Sequence, residues 1–226
     1  MIVHGDLLVF SELRIPNFMS VERISLNDVA QYYSAKLAEH GATPHGVDWN
    51  GEEGQALRFE QLCKVISSYS FSLLDLGCGY GALLEYLRSR FDDVEYLGCD
   101  VSADMIKTAR KRHEQDFLAR FYVSSEPCTI SDYSIASGIF NVRLGYNDDQ
   151  WQAYLETTLD MLNRTSTKGF AFNCLTCYSD RDKMVDHLYY ADPLKLFDLC
   201  KRRYSRRVAL LHDYDLFEFT ILVRKV

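Results

Sequence analysis

The sequence predicts an α/β fold, a doubly wound and mostly parallel sheet preceded by a helical segment. Three observations predict it. Beyond residue 55, short apolar runs alternate with segments of helical period, as a parallel sheet covered on both faces requires. A glycine-rich turn, Gly77-Cys78-Gly79-Tyr80-Gly81, joins the first apolar run to the helix after it. The last two runs are separated only by the stretch around Asp213-Tyr214-Asp215. That is too short for a parallel crossover, so they must form an antiparallel hairpin.

Taken in order, Leu26 to His40 reads as an amphipathic helix, with Val29, Tyr33 and Leu37 on one stripe, Asn27 or Ser25 as its cap and Gly41 as its stop. Residues 41–51 form a loop of turn residues that carries His45, Asp48 and Trp49, a composition suited to a lid or a substrate contact. Ala56 to Ser67 is helical through Leu57, Leu62 and Val65-Ile66. Phe71–Leu76 is a strand, Gly81–Arg90 a helix, Val94–Cys99 a strand and Ala103–Glu114 a helix. Phe121–Val123 and Tyr133–Ser137 are strands, and Asp148–Asn163 is a long helix with Trp151, Tyr154-Leu155, Leu159 and Leu162 on one face. Gly169–Leu175 is a strand, Pro193–Arg202 a helix, and Val208–Leu211 and Phe217–Val223 the closing strands. The count is seven strands.

The 226 residues are the length of one domain, divided here into an N-terminal lid segment, 1–55, and a ligand-binding domain, 56–226. With 47% hydrophobic and 25% charged residues, 12 Gly and 4 Pro, the chain is neither disordered nor collagen-like. A net charge of −7 disfavours a nucleic-acid partner. The seven cysteines are spread along the chain, most in apolar runs such as Leu76-Gly77-Cys78. That usage points to a reducing compartment, the cytoplasm. The start, Met1-Ile2-Val3-His4-Gly5-Asp6, lacks the basic region of a signal peptide, and no run reaches the roughly 18 apolar residues of a membrane span.

The chemistry lies in Leu73-Leu74-Asp75-Leu76-Gly77-Cys78-Gly79-Tyr80-Gly81. Glycines allow a tight turn and let a ligand lie on bare backbone at a helix N-terminus. Asp100, 25 residues after Asp75, ends the second strand, where an acid can accept both hydroxyls of a ribose. Asp75 would repel the pyrophosphate of a dinucleotide and suits a cationic amino group.

These motifs resemble those of the class I S-adenosylmethionine-dependent methyltransferases, a Rossmann-like family. Asp75-x-Gly77-x-Gly79-x-Gly81 is similar to the family's first motif and Gly98-Cys99-Asp100 to its second, and the resemblance covers roughly residues 56–226. It implies S-adenosylmethionine as cofactor. Asp75, Gly77, Cys78 and Gly79 would hold its methionine end, Asp100 the ribose, and Val101 or Met105 the adenine. After the third strand, where relatives carry Asp or Asn, this chain has Ser124-Ser125-Glu126, leaving Ser125 or Glu126 for the adenine amino group. Ser137-Gly138-Ile139-Phe140-Asn141 lies where the methyl group should emerge and differs from the Asn/Asp-Pro-Pro-Tyr/Phe motif of nucleobase and glutamine nitrogen methylation.

The expected reaction is therefore methyl transfer to oxygen or nitrogen of a small-molecule acceptor. RNA or protein methylation is the second reading, an NAD-dependent dehydrogenase a third, and a binding module without catalysis a fourth. The dehydrogenase is weakened because Gly-x-Gly-x-x-Gly needs glycine where Ala82 stands. Tyr33 and Trp49 are expected to wall the cofactor. Ser137 and Gly138 are assigned to the cofactor, and Phe140, Asn141, Asn173, His45 and Tyr189 to the acceptor. His45, Asp48, His187, His212 and Asp213 are the candidate bases. Cys174-Leu175-Thr176-Cys177 has metal-type spacing but no second pair, so no metal is expected. The basic run Lys201–Arg207 reads as a solvated helix end.

Overall fold

The structure is a computed structural model that describes residues 24–127 and 129–225. The start of the chain, most of the lid segment's first half and Cys128 lie outside the described residues. In chain order the elements are α1 (Asn27–His40), a 3₁₀ turn (Pro44–Val47), α2 (Glu52–Cys63), β1 (Ser70–Leu76), α3 (Ala82–Arg88), β2 (Asp93–Asp100), α4 (Ala103–Arg112) and β3 (Ala119–Val123). Then follow β4 (Ser131–Ala136), α5 (Asp148–Thr165), β5 (Ser166–Thr176), β6 (Tyr190–Ala191), α6 (Pro193–Arg203), β7 (Arg207–Leu211) and β8 (Glu218–Arg224).

The sheet order is β3-β2-β1-β4-β5-β8-β7, with β6 pairing β5 off that path. Among the described strands only β8 runs against its neighbours: it is antiparallel to both β5 and β7, and the other pairs are parallel. The expected hairpin is present, with β8 inserted between β5 and β7. Among the described residues the sheet has eight strands rather than the expected seven. β6 is two residues long, too short to show a period in sequence. It pairs Leu175 and Thr176, beyond Phe172 where β4's pairing with β5 ends.

Alternation along β1 sends Phe71 and Leu73 to one face and Leu74 and Leu76 to the other. The first face is covered by α2, α3 and α4 through Leu62, Leu83, Leu87 and Ile106. The second is covered by α5 and α6 through Leu155, Leu159, Leu162 and Leu196. Each fully buried leucine contributes about 1.5–3 kcal/mol of transfer free energy.

Two local expectations change. The second helix begins at Glu52 rather than Ala56, because Gly51, in an extended conformation with φ 149°, releases the chain and Glu52 and Glu53 complement the N-terminal dipole. It ends at Cys63 rather than Ser67: Val65 N donates to Leu62 O and Ile66 N to Cys63 O, a three-residue spacing that tightens the chain out of the helix. At α1 neither Asn27 nor Ser25 caps the helix; the capping position is Leu26, with no side-chain bond. Gly41 does stop it, at φ 68° with its N–H on Leu37 O.

Candidate active site

The glycine turn sits where β1 and β2 end side by side. Parallel register sets Leu76 beside Cys99, and Gly77 N and Cys78 N both donate to Cys99 O, at 2.7 and 3.0 Å. Gly77, Gly79 and Gly81 have φ of 78°, 54° and 86°, a region costly for any side chain. A Cβ on Gly77 would stand 2.2 Å from Ile139 Cγ2. Asp100 locks the turn from β2: its Oδ2 accepts from Gly79 N at 2.9 Å and its Oδ1 from Ser102 N at 2.8 Å.

A cavity opens over this turn. Of the residues assigned to the cofactor, Asp75, Gly77, Cys78, Gly79, Asp100, Val101, Met105, Ser125, Ser137, Gly138, Tyr33 and Trp49 line it. Glu126 does not. Its side chain is exposed, and only its backbone is held, by Ser124 Oγ. Ser124 lines the cavity instead, as does Tyr154 from α5. Strand alternation after β3 could have indicated Ser124. Tyr154 was read only as part of a helix face.

Electrostatics mark two groups. Burial pushes Asp75 up to about 7, beyond what the hydrogen bond from Tyr96 Oη at 2.5 Å offsets, with the Asp100 charge adding to the rise. Burial also raises Asp100, against bonds from the Ser102 and Gly79 amides. Asp75 Oδ1 and Ser137 Oγ are buried without a hydrogen-bond partner. Two orphaned polar atoms on one cavity, one a carboxylate oxygen, call for a polar, cationic ligand group.

A second chamber adjoins the first, and Tyr33, Val47, Trp49 and Gly138 line both. It is lined by Tyr32, Lys36 and Asp48 from the N-terminal segment, by Asn141, Val142 and Leu144 after β4, and by Leu175, His187 and Leu188. Asp48, at φ 65°, accepts from Tyr32 Oη and pairs with Lys36 Nζ at 2.9 Å. Burial, reinforced by Asp48, Tyr32 and Asp100, pushes the Tyr33 phenol far up, so it keeps its proton. The N-terminal segment is tied to the domain by Ser34 Oγ to Ser102 Oγ at 2.9 Å and by Tyr146 Oη on the backbone of Ser25.

Trp49 and Gly138, which line both chambers, belong to a closed ring of buried contacts. Gly138 N donates to Asn173 Oδ1 at 2.8 Å, and Asn173 Nδ2 donates to Glu218 Oε2 at 2.5 Å. Glu218 accepts from Arg58 Nε and Nη2 at 2.7–3.0 Å. The Arg58 guanidinium lies 3.6 Å over the Trp49 ring, and that ring abuts Gly138. Arg58 and Glu218 went unnoticed in sequence, being 160 residues apart with no local motif.

The structure spreads the residues assigned to the acceptor over several places. Asn141 lines the second chamber, its Oδ1 accepting from Leu175 N. Asn173 lines neither chamber and instead braces the ring from β5. Phe140 is wholly buried between Phe172 and Tyr154, because the turn at Gly138 points it into the core. His45 is exposed on the 3₁₀ turn beside His40. The Tyr189 hydroxyl donates to Gln152 on α5, away from both chambers. Among the candidate bases Asp48 and His187 reach the second chamber. His212 packs with Tyr178 and Phe219, and Asp213 is exposed.

Gly138→Ala tests the ring's tightest contact. The new Cβ would meet Trp49 Cζ2 at 2.8 Å, on a backbone at φ 77°. Gly41→Ala has a similar φ of 68° and nothing within 4 Å, so it isolates a backbone cost of about 1–3 kcal/mol. Gly138→Ala is expected to lose more stability than this control and to change the Trp49 emission. Equal losses with unchanged emission would contradict the contact.

A sheet with one reversed strand, and a carboxylate-flanked glycine turn under a deep cavity, define a Rossmann-like enzyme built for a nucleoside cofactor. Residues 73–165 match the family described as methyltransferase domain. A Mycobacterium tuberculosis protein named as a methyltransferase is 61% identical over 155 residues, covering 69% of this chain and 93% of that one. The trans-aconitate 2-methyltransferase of Rhodopseudomonas palustris is 31% identical over 103 residues, 41% of this chain, and the match spans only 40% of that relative. In fold, the chain is similar to a DhpI complex with S-adenosylmethionine, at TM-score 0.62 and 16% identity over 88% of this chain and 97% of that one. It is also similar to human N-acetylserotonin methyltransferase in complex with S-adenosylmethionine, at TM-score 0.56 and 15% identity over 89% of this chain and 56% of that one. The chain belongs to the class I S-adenosylmethionine-dependent methyltransferases, and S-adenosylmethionine is its cofactor.

Proposed function

We propose that this methyltransferase acts on oxygen or nitrogen of a small molecule held in the second chamber. The observation that carries the reading is the junction of the two chambers at Tyr33, Val47, Trp49 and Gly138, under a roof formed by the N-terminal segment. A roofed chamber suits a small acceptor better than a polymer. Two cations of the basic run support the same choice: Arg202 pairs with Asp198, and Arg203 with Glu156 and Asp160, so these two serve the protein's own helices. We take residues 1–55, described from residue 24 onward, as the lid segment and 56–226 as the cofactor domain. Among the described residues no helix is long and apolar enough to cross a membrane. The thiols Cys63, Cys78, Cys174, Cys177 and Cys200 stand outside disulfides, which supports a cytoplasmic location.

In this reading Asp75 takes the cofactor's ammonium group and satisfies its orphaned Oδ1. Asp100 accepts from the ribose hydroxyls, Val101 and Met105 pack on the adenine, and Ser124 or Ser125 bonds its amino group. The cofactor supplies a methyl group on a sulfonium, whose sulfur leaves neutral. The protein's work is then alignment and exclusion of water. Tyr33 and Trp49 form the dry wall at the junction, and an oxygen nucleophile gives its proton to Asp48 or His187, the two bases in the chamber. The trans-aconitate of the Rhodopseudomonas relative is not carried over, since the match to it spans only 103 residues.

Incubation with methyl-labelled S-adenosylmethionine and a cell extract, split into small molecules, RNA and protein, tests the assignment. Label is expected in the small-molecule fraction. Label confined to RNA or protein would overturn it.

A further inference from the structure

We propose that the second chamber selects an uncharged acceptor with an apolar face and excludes carboxylates; this rests on the small-molecule reading above. Among the described residues that line it, the cations are Lys36 and Arg58, and each already has a dedicated anion. Lys36 Nζ is 2.9 Å from Asp48 Oδ1. Arg58 gives Nε and Nη2 to Glu218 and lays its face on Trp49. The anions are equally engaged. Asp48 also accepts from Tyr32 Oη, and Glu218 from Asn173 Nδ2. The fixed charges of the wall therefore cancel in pairs, and His187 is the one imidazole beside them.

A carboxylate entering this chamber would shed part of its water and find no uncommitted cation among the described residues, a net desolvation cost. To bind, it would have to break the Lys36–Asp48 pair and leave Asp48 facing it. An uncharged molecule meets no such cost. Its apolar face would lie on Val142, Leu144, Leu175 and Leu188 and against the Tyr33 and Trp49 rings. Its hydroxyl or amine groups would find Asn141, Tyr32 and His187. The group to be methylated would then point to the junction at Gly138.

An isosteric pair of probes reads this directly: 4-hydroxybenzamide and 4-hydroxybenzoate, titrated into protein saturated with S-adenosylhomocysteine. The amide is expected to bind at least about tenfold tighter to the wild type. Asp48→Asn keeps a residue that tolerates the left-handed backbone and leaves Lys36 without its anion, so the preference should shrink or reverse. Tighter binding of the benzoate to the wild type would overturn the proposal, as would an unchanged ratio in Asp48→Asn. If neither probe binds while S-adenosylhomocysteine binds normally, the chamber is not the acceptor site and the functional reading falls with it. If S-adenosylhomocysteine itself fails to bind, the cofactor assignment is the one at fault.

Discussion

Glu218→Gln is expected to destabilise the fold by about 3–5 kcal/mol, the cost of stranding one member of a buried ion pair. Glu218 is 1% exposed and Arg58 9%. Burial pulls Arg58 down, and the adjoining Glu218 charge and hydrogen bonds are the main causes that hold it up. Without the carboxylate, the guanidinium would sit uncompensated against Trp49, and Asn173 would lose a charged acceptor. For a chain of this length each kcal/mol lowers Tm by about 2–4 °C, so denaturant and thermal unfolding both resolve the effect. The double variant Arg58→Met, Glu218→Leu should recover much of the loss, because neither charge remains buried. A single-variant loss below about 1 kcal/mol, or a double variant no better than the single, would show that the ring does not hold the wall.

The second large effect is a pH dependence of cofactor binding. Asp75 titrates near 7 when the cavity holds no ammonium group, and burial is the main cause. The sign follows from charge. Below that pH the carboxyl is neutral and cannot pair with the ammonium; above it the carboxylate is present and pairing is complete. S-adenosylhomocysteine affinity should thus be flat above about pH 8 and fall about tenfold per unit below about pH 6.5. At pH 6 binding should release a proton, visible as heats that vary with the buffer's ionisation enthalpy. Asp75→Asn should bind weakly with no such slope. An affinity constant from pH 5.5 to 8 would remove Asp75 from contact with the amino group.

How much of this was legible in the sequence depends on how far apart the cooperating residues lie. The cofactor side is a contiguous strand, turn and helix, with its second acid at the end of the next strand. Local rules therefore bring Asp75, Gly77, Gly79 and Asp100 together on the first cavity. Tyr33 and Trp49 followed from an amphipathic helix and a turn-rich loop. The second chamber was not legible, because its charges are paired across the fold: α2 reaches β8 through Arg58 and Glu218. Residues placed by proximity to strand ends scattered for steric reasons. Past the positive φ of Gly138 the chain turns Phe140 into the core, and strand β5 aims Asn173 at Gly138 N rather than at open space. His45 and Glu126 are chemically suitable side chains on outward turns, which composition alone cannot distinguish from inward ones.

The central claim, that this glycine turn and its two acids hold S-adenosylmethionine, is tested most directly by calorimetric titration of wild type and Asp100→Ala with S-adenosylmethionine, S-adenosylhomocysteine and NAD. The account predicts that the two sulfur compounds bind the wild type and NAD does not. It predicts that Asp100→Ala weakens their binding by about 1–3 kcal/mol, the loss of hydrogen bonds to a charged acceptor. Binding of NAD alone, or unchanged affinity in Asp100→Ala, would contradict it.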